Sequence, residues 1–432
     1  MTNQSVYEVR PLKNHMSFTV EVPGSKSITN RALLLAAMGQ GSCTLKGVLF
    51  SADSRAFLDC LDRLGFVMEI SEEKKEVTIH GTGGEIPKKE ASIHVGSAGT
   101  AARFLTVFLA FAGGDFFLDA SEQMRRRPME PLVKALRQAG VEIECTMEEY
   151  HFPFYLHSHG VDPQKMSINT DVSSQFASAL MMAGGLLPSG LKLTLEGQRT
   201  NGSYIGITQR MLTQFGFSYE REGDEVRLCH EPVRQPDVYE IEPDVSAAAY
   251  FYAMSPICNK TICVKGVHLD SMQGDIQFIN TLEGLGCRLN DGEEGLVVEP
   301  PAQGHYPGIT LSMKDFSDQT MTMACVAVFA DTPTCIRDIG HIRFQESDRL
   351  QAIVNELTRA GIQCEATEEN NAIRIVPGTP KAAELATYED HRMAMAFSLL
   401  GLRANGIRIL NPGCCAKTFE NYFEILDEMC II

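Results

Sequence analysis

A repeat is the feature that most restricts how this chain can fold. Six stretches, apolar on nearly every face, begin at Ser27, Gly99, Ser173, Val245, Asp318 and Asp390. They are spaced by roughly 73 residues, a period that marks a repeated structural unit. A helix that is apolar all round has to be buried. Between these stretches run amphipathic segments that end in Gly and pass into a short alternating strand. Gly65, Gly140, Gly216, Gly286 and Gly361 each stand at such a junction. Helices commonly close on a left-handed residue, a conformation Gly adopts without steric cost. The last amphipathic segment, about 418–429, should be a sixth outer helix. The pattern therefore predicts an α/β protein of six similar units, each with one buried helix, one outer helix and short strands.

Two sites look like crossings between halves. Glu21-Val22-Pro23 and Ile241-Glu242-Pro243 stand just before the first and fourth buried helices, three units apart. Proline holds its preceding residue extended, which suits a crossing. The expected division is an N-terminal domain of residues 23–242 and a C-terminal domain of 1–22 with 243–432. A 432-residue chain that is 44% hydrophobic has ample core for both. Its net charge of −17 argues against nucleic acid and anionic membrane as partners. Thirteen cysteines without a CxxC pair, and an opening that does not read as a secretory signal, suggest reduced thiols in a cytoplasmic protein. No apolar run is as long as a membrane span.

In so acidic a chain, cations gathered at helix starts carry information. Pro23-Gly24-Ser25-Lys26-Ser27-Ile28-Thr29-Asn30-Arg31 leads into the first buried helix. Free N–H groups at a helix start favour an anion, and Lys26 and Arg31 add full charges. Ser27 and Thr29 can cap those N–H groups or donate to a phosphate. The competing account is an ordinary capped helix with two solvated cations. Other helix starts are also unusually polar: Gly96-Ser97-Ala98-Gly99-Thr100, Arg127-Pro128, Ser173-Ser174-Gln175, Tyr204, Asp275, Glu346-Ser347-Asp348-Arg349, Asp390-His391-Arg392 and Lys417-Thr418. If the units are arranged alike, the helix starts of each domain share a face. Two such faces opposed across a hinge would form a cleft lined by Lys26, Arg31, Arg127, Arg349, Arg392 and Lys417. Arg grips phosphate and carboxylate bidentately, so the cleft suits two anionic substrates. Asp318, Glu346 and Lys26 are the titratable groups best suited to proton transfer there. Helix capping is the competing role for the two carboxylates.

Taken together, these motifs resemble those of the 5-enolpyruvylshikimate-3-phosphate synthase family. The matching stretches are Pro23 to Ser27 with Arg31, Gly99-Thr100-Ala101-Ala102-Arg103, Arg127-Pro128, Val172-Ser173-Ser174-Gln175-Phe176, Glu346-Ser347-Asp348-Arg349, Asp390-His391-Arg392-Met393-Ala394-Met395 and Ala416-Lys417-Thr418-Phe419. They span nearly the whole chain. The resemblance implies two similar domains, each of three βαβαββ units with buried parallel helices, an inside-out α/β barrel, hinged by two crossover segments. It implies transfer of the enolpyruvyl group of phosphoenolpyruvate to the 5-hydroxyl of shikimate 3-phosphate, by a monomer needing no metal or redox cofactor. Shikimate 3-phosphate would meet Lys26, Ser27, Arg31, Ser173, Ser174, Gln175, Asn201, Tyr204, Asp318 and Gln345. Phosphoenolpyruvate would meet Lys26, Gly99, Arg127, Gln175, Arg349, Arg392 and Lys417. Asp318, Glu346 and Lys26 would share the proton transfers. The N-terminal domain would be the shikimate-3-phosphate side and the C-terminal domain the phosphoenolpyruvate side.

The chain departs from the family at two places. Gln345 stands where members commonly have Lys, and His341 where they often have Asn. Gln keeps a donor but loses the cation, and Arg343 or His341 could compensate. A related enolpyruvyl transferase acting on a UDP-sugar would have a Cys in the loop around 121–127, and none is present. A transferase for another acceptor and a catalytically silent anion-binding module are the remaining rivals.

Overall fold

The computed structural model describes residues 6–13, 16–231, 234–367, 369 and 371–431. Its α-helices are α1 (Lys26–Met38), α2 (Ala52–Arg63), α3 (Gly99–Ala112), α4 (Glu122–Arg125), α5 (Glu130–Gln138), α6 (Ser174–Gly184), α7 (Ser203–Gln214), α8 (Val245–Cys258), α9 (Ile276–Gly284), α10 (Thr320–Val328), α11 (Arg349–Arg359), α12 (His391–Gly401) and α13 (Tyr422–Ile431). The chain divides into two compact units, one of Gly24–Ile241 and the other of Met1–Pro23 with Glu242–Ile432.

The wholly apolar stretches are the interior helices. Every residue of α3 from Gly99 to Phe111 is buried, as is every residue of α10 and α12. In the first unit α3 packs on both α1 and α6. In the second, α8, α10 and α12 pack on one another. The amphipathic helices α2, α5 and α11 bury only one face, with Leu132, Val133 and Leu136 of α5 as an example. All five junction glycines have left-handed φ values between 80° and 98°. There the helix turns back into an outer strand.

The described strands form six sheets, five of four strands and one of three. Each four-stranded sheet joins a parallel pair to an antiparallel hairpin. The strand before a buried helix pairs in parallel with the strand after it, as 90–94 does with 114–119 across α3. The hairpin 142–145 and 154–158 completes that sheet. The crossing strands break this rule. Ser17–Val20 leads into α1 but pairs with Thr261–Lys265, the strand after α8. Val238–Glu240 leads into α8 but pairs with Gln40–Lys46, the strand after α1. Each unit thus keeps the strand whose own helix lies in the other unit. At the first crossing Gly24 is pressed against backbone; an added Cβ would fall 1.9 Å from the Gly47 carbonyl oxygen.

Three expected details differ. Asp318 lies in a 3-10 turn, Ser317–Gln319, ahead of α10, rather than at an α-helix start. Lys417 ends a 3-10 helix, Pro412–Lys417, and the outer helix begins only at Tyr422. Asn411 in left-handed geometry followed by Pro412 forces that tighter turn. At α1 the N-cap residue is Ser25, which makes no side-chain cap bond, so Ser27 and Thr29 do not cap. The Thr29 hydroxyl instead accepts from the Leu49 N–H at 3.2 Å. No described helix is long and apolar enough to cross a membrane. All thirteen cysteines are free.

Candidate active site

In the Gly24–Ile241 unit the helix starts converge. Lys26 at the start of α1 lies 3.8 Å from Asp53 in the first turn of α2. Asp53 accepts at 3.5 Å from Ser97, in the turn before α3. Asn30 donates to Thr100 at 2.5 Å, which ties α1 to α3. Arg31 is buried and donates to Thr208 (2.8 Å), Ser178 (3.1 Å), and the carbonyls of Ser27 (2.9 Å) and Tyr204 (3.2 Å). Its guanidinium also lies 5.3 Å from the Phe104 ring centre. Burial lowers its pKa to about 10, so it stays charged at neutral pH. Arg103 is held similarly, by the carbonyls of Gly99 and Pro128 (both 3.2 Å) and over Phe176. Burial, then the nearby Arg127 charge, puts it well below the usual Arg range.

Gly99 lets Arg127 lie close to the backbone; a Cβ there would meet the guanidinium at 2.7 Å. Among the described residues the buried Arg127 Nε and Gln175 Oε1 have no hydrogen-bond partner. Unsatisfied buried polar atoms are costly, and such atoms beside a helix start suit a polar ligand. Ser173 caps α6 by accepting from the Gln175 N–H at 3.2 Å, and Ser174 follows it, half-buried. Asn201 is exposed and accepts from Arg221 at 2.5 Å.

The other unit gathers carboxylates and cations in alternation. Asp318 bridges Arg349 and Arg392, each at 2.9 Å. Arg349 also holds Asp390 at 2.8 Å and Glu346 at 3.4 Å, and donates to the side-chain oxygen of Gln345. Glu346 reaches Lys417 and His391, both at 3.1 Å. Arg392 also donates to Ser246 at 3.4 Å, and Ser246 donates to the buried Asp275. Because Ser246, Asp318, Arg349 and Arg392 stand at or just before the starts of α8, α10, α11 and α12, these starts share one face. Neither Asp318 nor Glu346 caps a helix: Asp244, Asp348 and Asp390 do so for α8, α11 and α12.

Charge balance sets the titration of this group. Burial alone would lower Arg349, but Asp390, Asp318 and Glu346 outweigh it and raise its pKa. Burial would raise Asp390, yet Arg349 holds it below the usual carboxylate range. Asp275 goes the other way: burial, then the Asp318 charge, pushes it up to about 6. It stands at the N-cap of α9 but makes no cap bond. Its carboxylate accepts from Ser246 and, at 3.0 Å, from Gln319 instead. Glu346, Asp390 and His391 place three possible metal ligands within 4.8 Å of one another. Arg349 and Lys417 already engage their oxygens, so the group needs no ion to balance it.

Of the residues expected from sequence, Asp318, Glu346, Gln345, Arg349, Arg392 and Lys417 meet in this one cluster. Lys26, Ser27 and Arg31 meet around the start of α1, with Tyr204 joined through its carbonyl, and Gly99 and Arg127 meet at α3. The two residues that could compensate for Gln345 are otherwise occupied. Arg343 pairs with Asp348 at 3.2 Å, and His341 shares a hydrogen bond with Ser317 at 2.7 Å. Sequence reasoning gave no role to Asp53, Ser246, Asp275, Asp390 or His391. Asp390 and His391 stood in a stretch that matches the family, and the others were signalled only by their positions at helix starts.

The family model for EPSP synthase (3-phosphoshikimate 1-carboxyvinyltransferase) matches residues 12–426. A 3-phosphoshikimate 1-carboxyvinyltransferase of Nostoc punctiforme is 39% identical over 423 residues, 98% of each chain. The chloroplastic one of Arabidopsis thaliana is 35% identical, over 98% of this chain and 84% of its own. Among solved structures, an EPSP synthase from Acinetobacter baumannii superposes with a TM-score of 0.82 at 24% identity, covering 99% of this chain and 98% of its own. The enolpyruvyl transferase NikO from Streptomyces tendae reaches 0.76 at 16% identity, over 98% of this chain and 97% of its own. The structural matches establish the fold, and the family model with the sequence relatives establishes that this chain belongs to the EPSP synthase family.

Proposed function

We propose that this protein transfers the enolpyruvyl group of phosphoenolpyruvate to the 5-hydroxyl of shikimate 3-phosphate and releases phosphate, a step in making aromatic amino acids. The observation that carries this reading is the cluster of Asp318 and Glu346 among Arg349, Arg392 and Lys417, at converging helix starts. Cations there can hold an anionic substrate beside two carboxylates able to move protons. In the reaction an acid protonates the C3 methylene of phosphoenolpyruvate, which makes C2 electrophilic. A base takes the 5-hydroxyl proton as the oxygen attacks C2. The tetrahedral adduct then loses a C3 proton and phosphate. Asp318, Glu346 and Lys26 share these transfers.

Phosphoenolpyruvate is assigned to Lys26, Gly99, Arg127, Gln175, Arg349, Arg392 and Lys417. Shikimate 3-phosphate is assigned to Lys26, Ser27, Arg31, Ser173, Ser174, Gln175, Asn201, Tyr204, Asp318 and Gln345. Arg31 acts chiefly by holding α1 and α7 together, because its donors are largely spent on Ser27, Ser178, Tyr204 and Thr208. The unpartnered atoms of Arg127 and Gln175 support their direct roles. The protein works as a cytoplasmic monomer.

A second acceptor stays in play because the Gln345 oxygen already accepts from Arg349. A phosphate-release assay with phosphoenolpyruvate decides between them. Shikimate 3-phosphate should support turnover, while shikimate and UDP-N-acetylglucosamine should not. Lys26→Met should bring release to background. Turnover with another acceptor alone, or near-normal release by Lys26→Met, would overturn the reading. Binding of both substrates without release would mark a silent module.

A further inference from the structure

One cavity lies well away from this chemistry. It has a volume of about 400 Å³ and is lined by Leu12, Lys13, Ile257, Cys258, Asn259, Lys260, Gly304, Leu402 and Arg403. All belong to the Met1–Pro23 and Glu242–Ile432 unit. The cavity sits at the C-terminal ends of α8 and α12, whose opposite ends carry Ser246 and Arg392 of the ion cluster. Fourteen residues of α8 span roughly 20 Å, so the two places are separate.

Three cations line this cavity. Lys260 is only 8% exposed, and Lys13 reaches the Ile431 carbonyl at 3.4 Å. Arg403 donates to the Ile257 carbonyl at 3.1 Å and lies over the Phe329 ring. No carboxylate among the described residues forms an ion pair with Lys13, Lys260 or Arg403. That is unusual in a chain with 55 acidic and 38 basic residues. The ends of α8 and α12 supply some compensation, since a helix C-terminus carries about half a negative charge. That leaves about two positive charges facing one cavity. Lys260 is buried, while Lys13 and Arg403 are exposed, so water screens part of their mutual repulsion; a bound anion would relieve the rest. The volume lies at the small end of ligand sites, which run from about 300 to 1,000 Å³. Leu12 supplies the apolar side of the cavity, while Ile257 and Leu402 are buried beneath it.

We propose that this cavity is a second anion site, which takes a small dianionic metabolite bearing a phosphoryl group or two carboxylates. Lys13, Lys260 and Arg403 hold the charge, and the Asn259 amide can donate to an oxygen.

The test is calorimetric titration with two probes, inorganic phosphate and succinate, at fixed ionic strength so that screening does not change. Lys417→Ala weakens anion binding at the ion cluster, and Lys13→Ala/Lys260→Gln is built on it and on the wild type, so that only the loss caused by the double change reports on the cavity. At least one probe should bind the Lys417→Ala protein, and the added double change should weaken it tenfold or more. The same double change in the wild type should leave phosphoenolpyruvate turnover unaltered. Tighter phosphate marks a phosphoryl ligand, and tighter succinate marks a dicarboxylate; either supports the site. If the double variant does not fold, Lys13→Ala alone, on an exposed side chain, should still weaken the probe about threefold. Unaltered affinity in the folded variants, or no binding of either probe to the Lys417→Ala protein, would overturn the proposal. Neither result bears on the enolpyruvyl transfer, which the turnover assay measures separately.

Discussion

The two units treat a buried arginine in opposite ways. Arg349 is enclosed by three carboxylates, and their charges raise its pKa. Arg31 and Arg103 are as deeply buried but meet only hydroxyls, carbonyls, a thioether and aromatic rings, and burial lowers theirs. The first arrangement is charge-balanced before any ligand arrives. The second keeps net positive charge, which only an incoming anion would balance. In the proposed reaction this corresponds to a division of work. Balanced carboxylates suit proton transfer, while the unbalanced arginines, their donors spent on hydroxyls and carbonyls, hold the helix starts in place and lend positive charge to an incoming anion.

The largest expected effect breaks this contrast directly. Arg349→Met would strand Asp318, Asp390 and Glu346 without their shared cation. Urea unfolding should show a loss of about 3–5 kcal/mol, the usual cost of removing one partner from a buried pair. Arg31→Met removes a buried cation that has no carboxylate to strand. Thr208 still donates to Ser178 at 2.8 Å, but four hydrogen bonds are lost, so the loss should be smaller than at Arg349, about 1–2 kcal/mol. Equal losses at the two sites would end the contrast.

A smaller effect sharpens it through pH. The folded-state value of Asp275 is about 6, above its ordinary 3.8. Its proton is therefore held more tightly folded than unfolded. The stability tied to that proton is complete below about pH 4 and is lost as pH rises through about 6. Near pH 7 the carboxylate costs up to about 3 kcal/mol, by the conversion of pKa shift into free energy. Asp275→Asn should match the wild type near pH 4 and exceed it by about 1–3 kcal/mol at pH 7. Unfolding midpoints at the two pH values check this, and a constant difference would count against it.

The smallest effect concerns Gly99. An Ala Cβ would push the Arg127 and Arg103 guanidiniums, which are the far ends of flexible side chains. Stability should change by less than about 1 kcal/mol, because those ends can shift. The KM for phosphoenolpyruvate should rise about fivefold to tenfold, the equivalent of about 1 kcal/mol. A large loss of stability with unchanged KM would show that Gly99 serves packing alone.

Much of the architecture was legible because it is encoded locally. Apolar helices such as α3 and α10 announce burial in their own residues, and Gly65 or Gly361 announces a helix end in its own φ preference. The exchanged strands were not legible. Nothing in Ser17–Val20 says that its partner is Thr261–Lys265 rather than the strand after α1. The 3-10 turns at Asp318 and Pro412–Lys417 were missed for a related reason, since tight turns and helix starts share residue types. At the site, sequence singled out the cations and two carboxylates but not their pairing. That Arg349 would join Asp318, Glu346 and Asp390 depends on three helix starts meeting in space. Asp275 stood out only as a polar residue at a helix start, and only the structure turns its side chain away from α9 toward Ser246 and Gln319.

The proposed proton traffic is tested most directly at the C3 methylene of phosphoenolpyruvate. The protein would be run in deuterated water with phosphoenolpyruvate and shikimate 3-phosphate, and C3 of the enolpyruvyl product analysed by mass spectrometry. If Glu346, Asp318 and Lys26 add a proton to C3 and remove one again, deuterium should appear there, and Glu346→Gln should slow its entry together with phosphate release. Product formed at the normal rate with no deuterium at C3 would contradict the account.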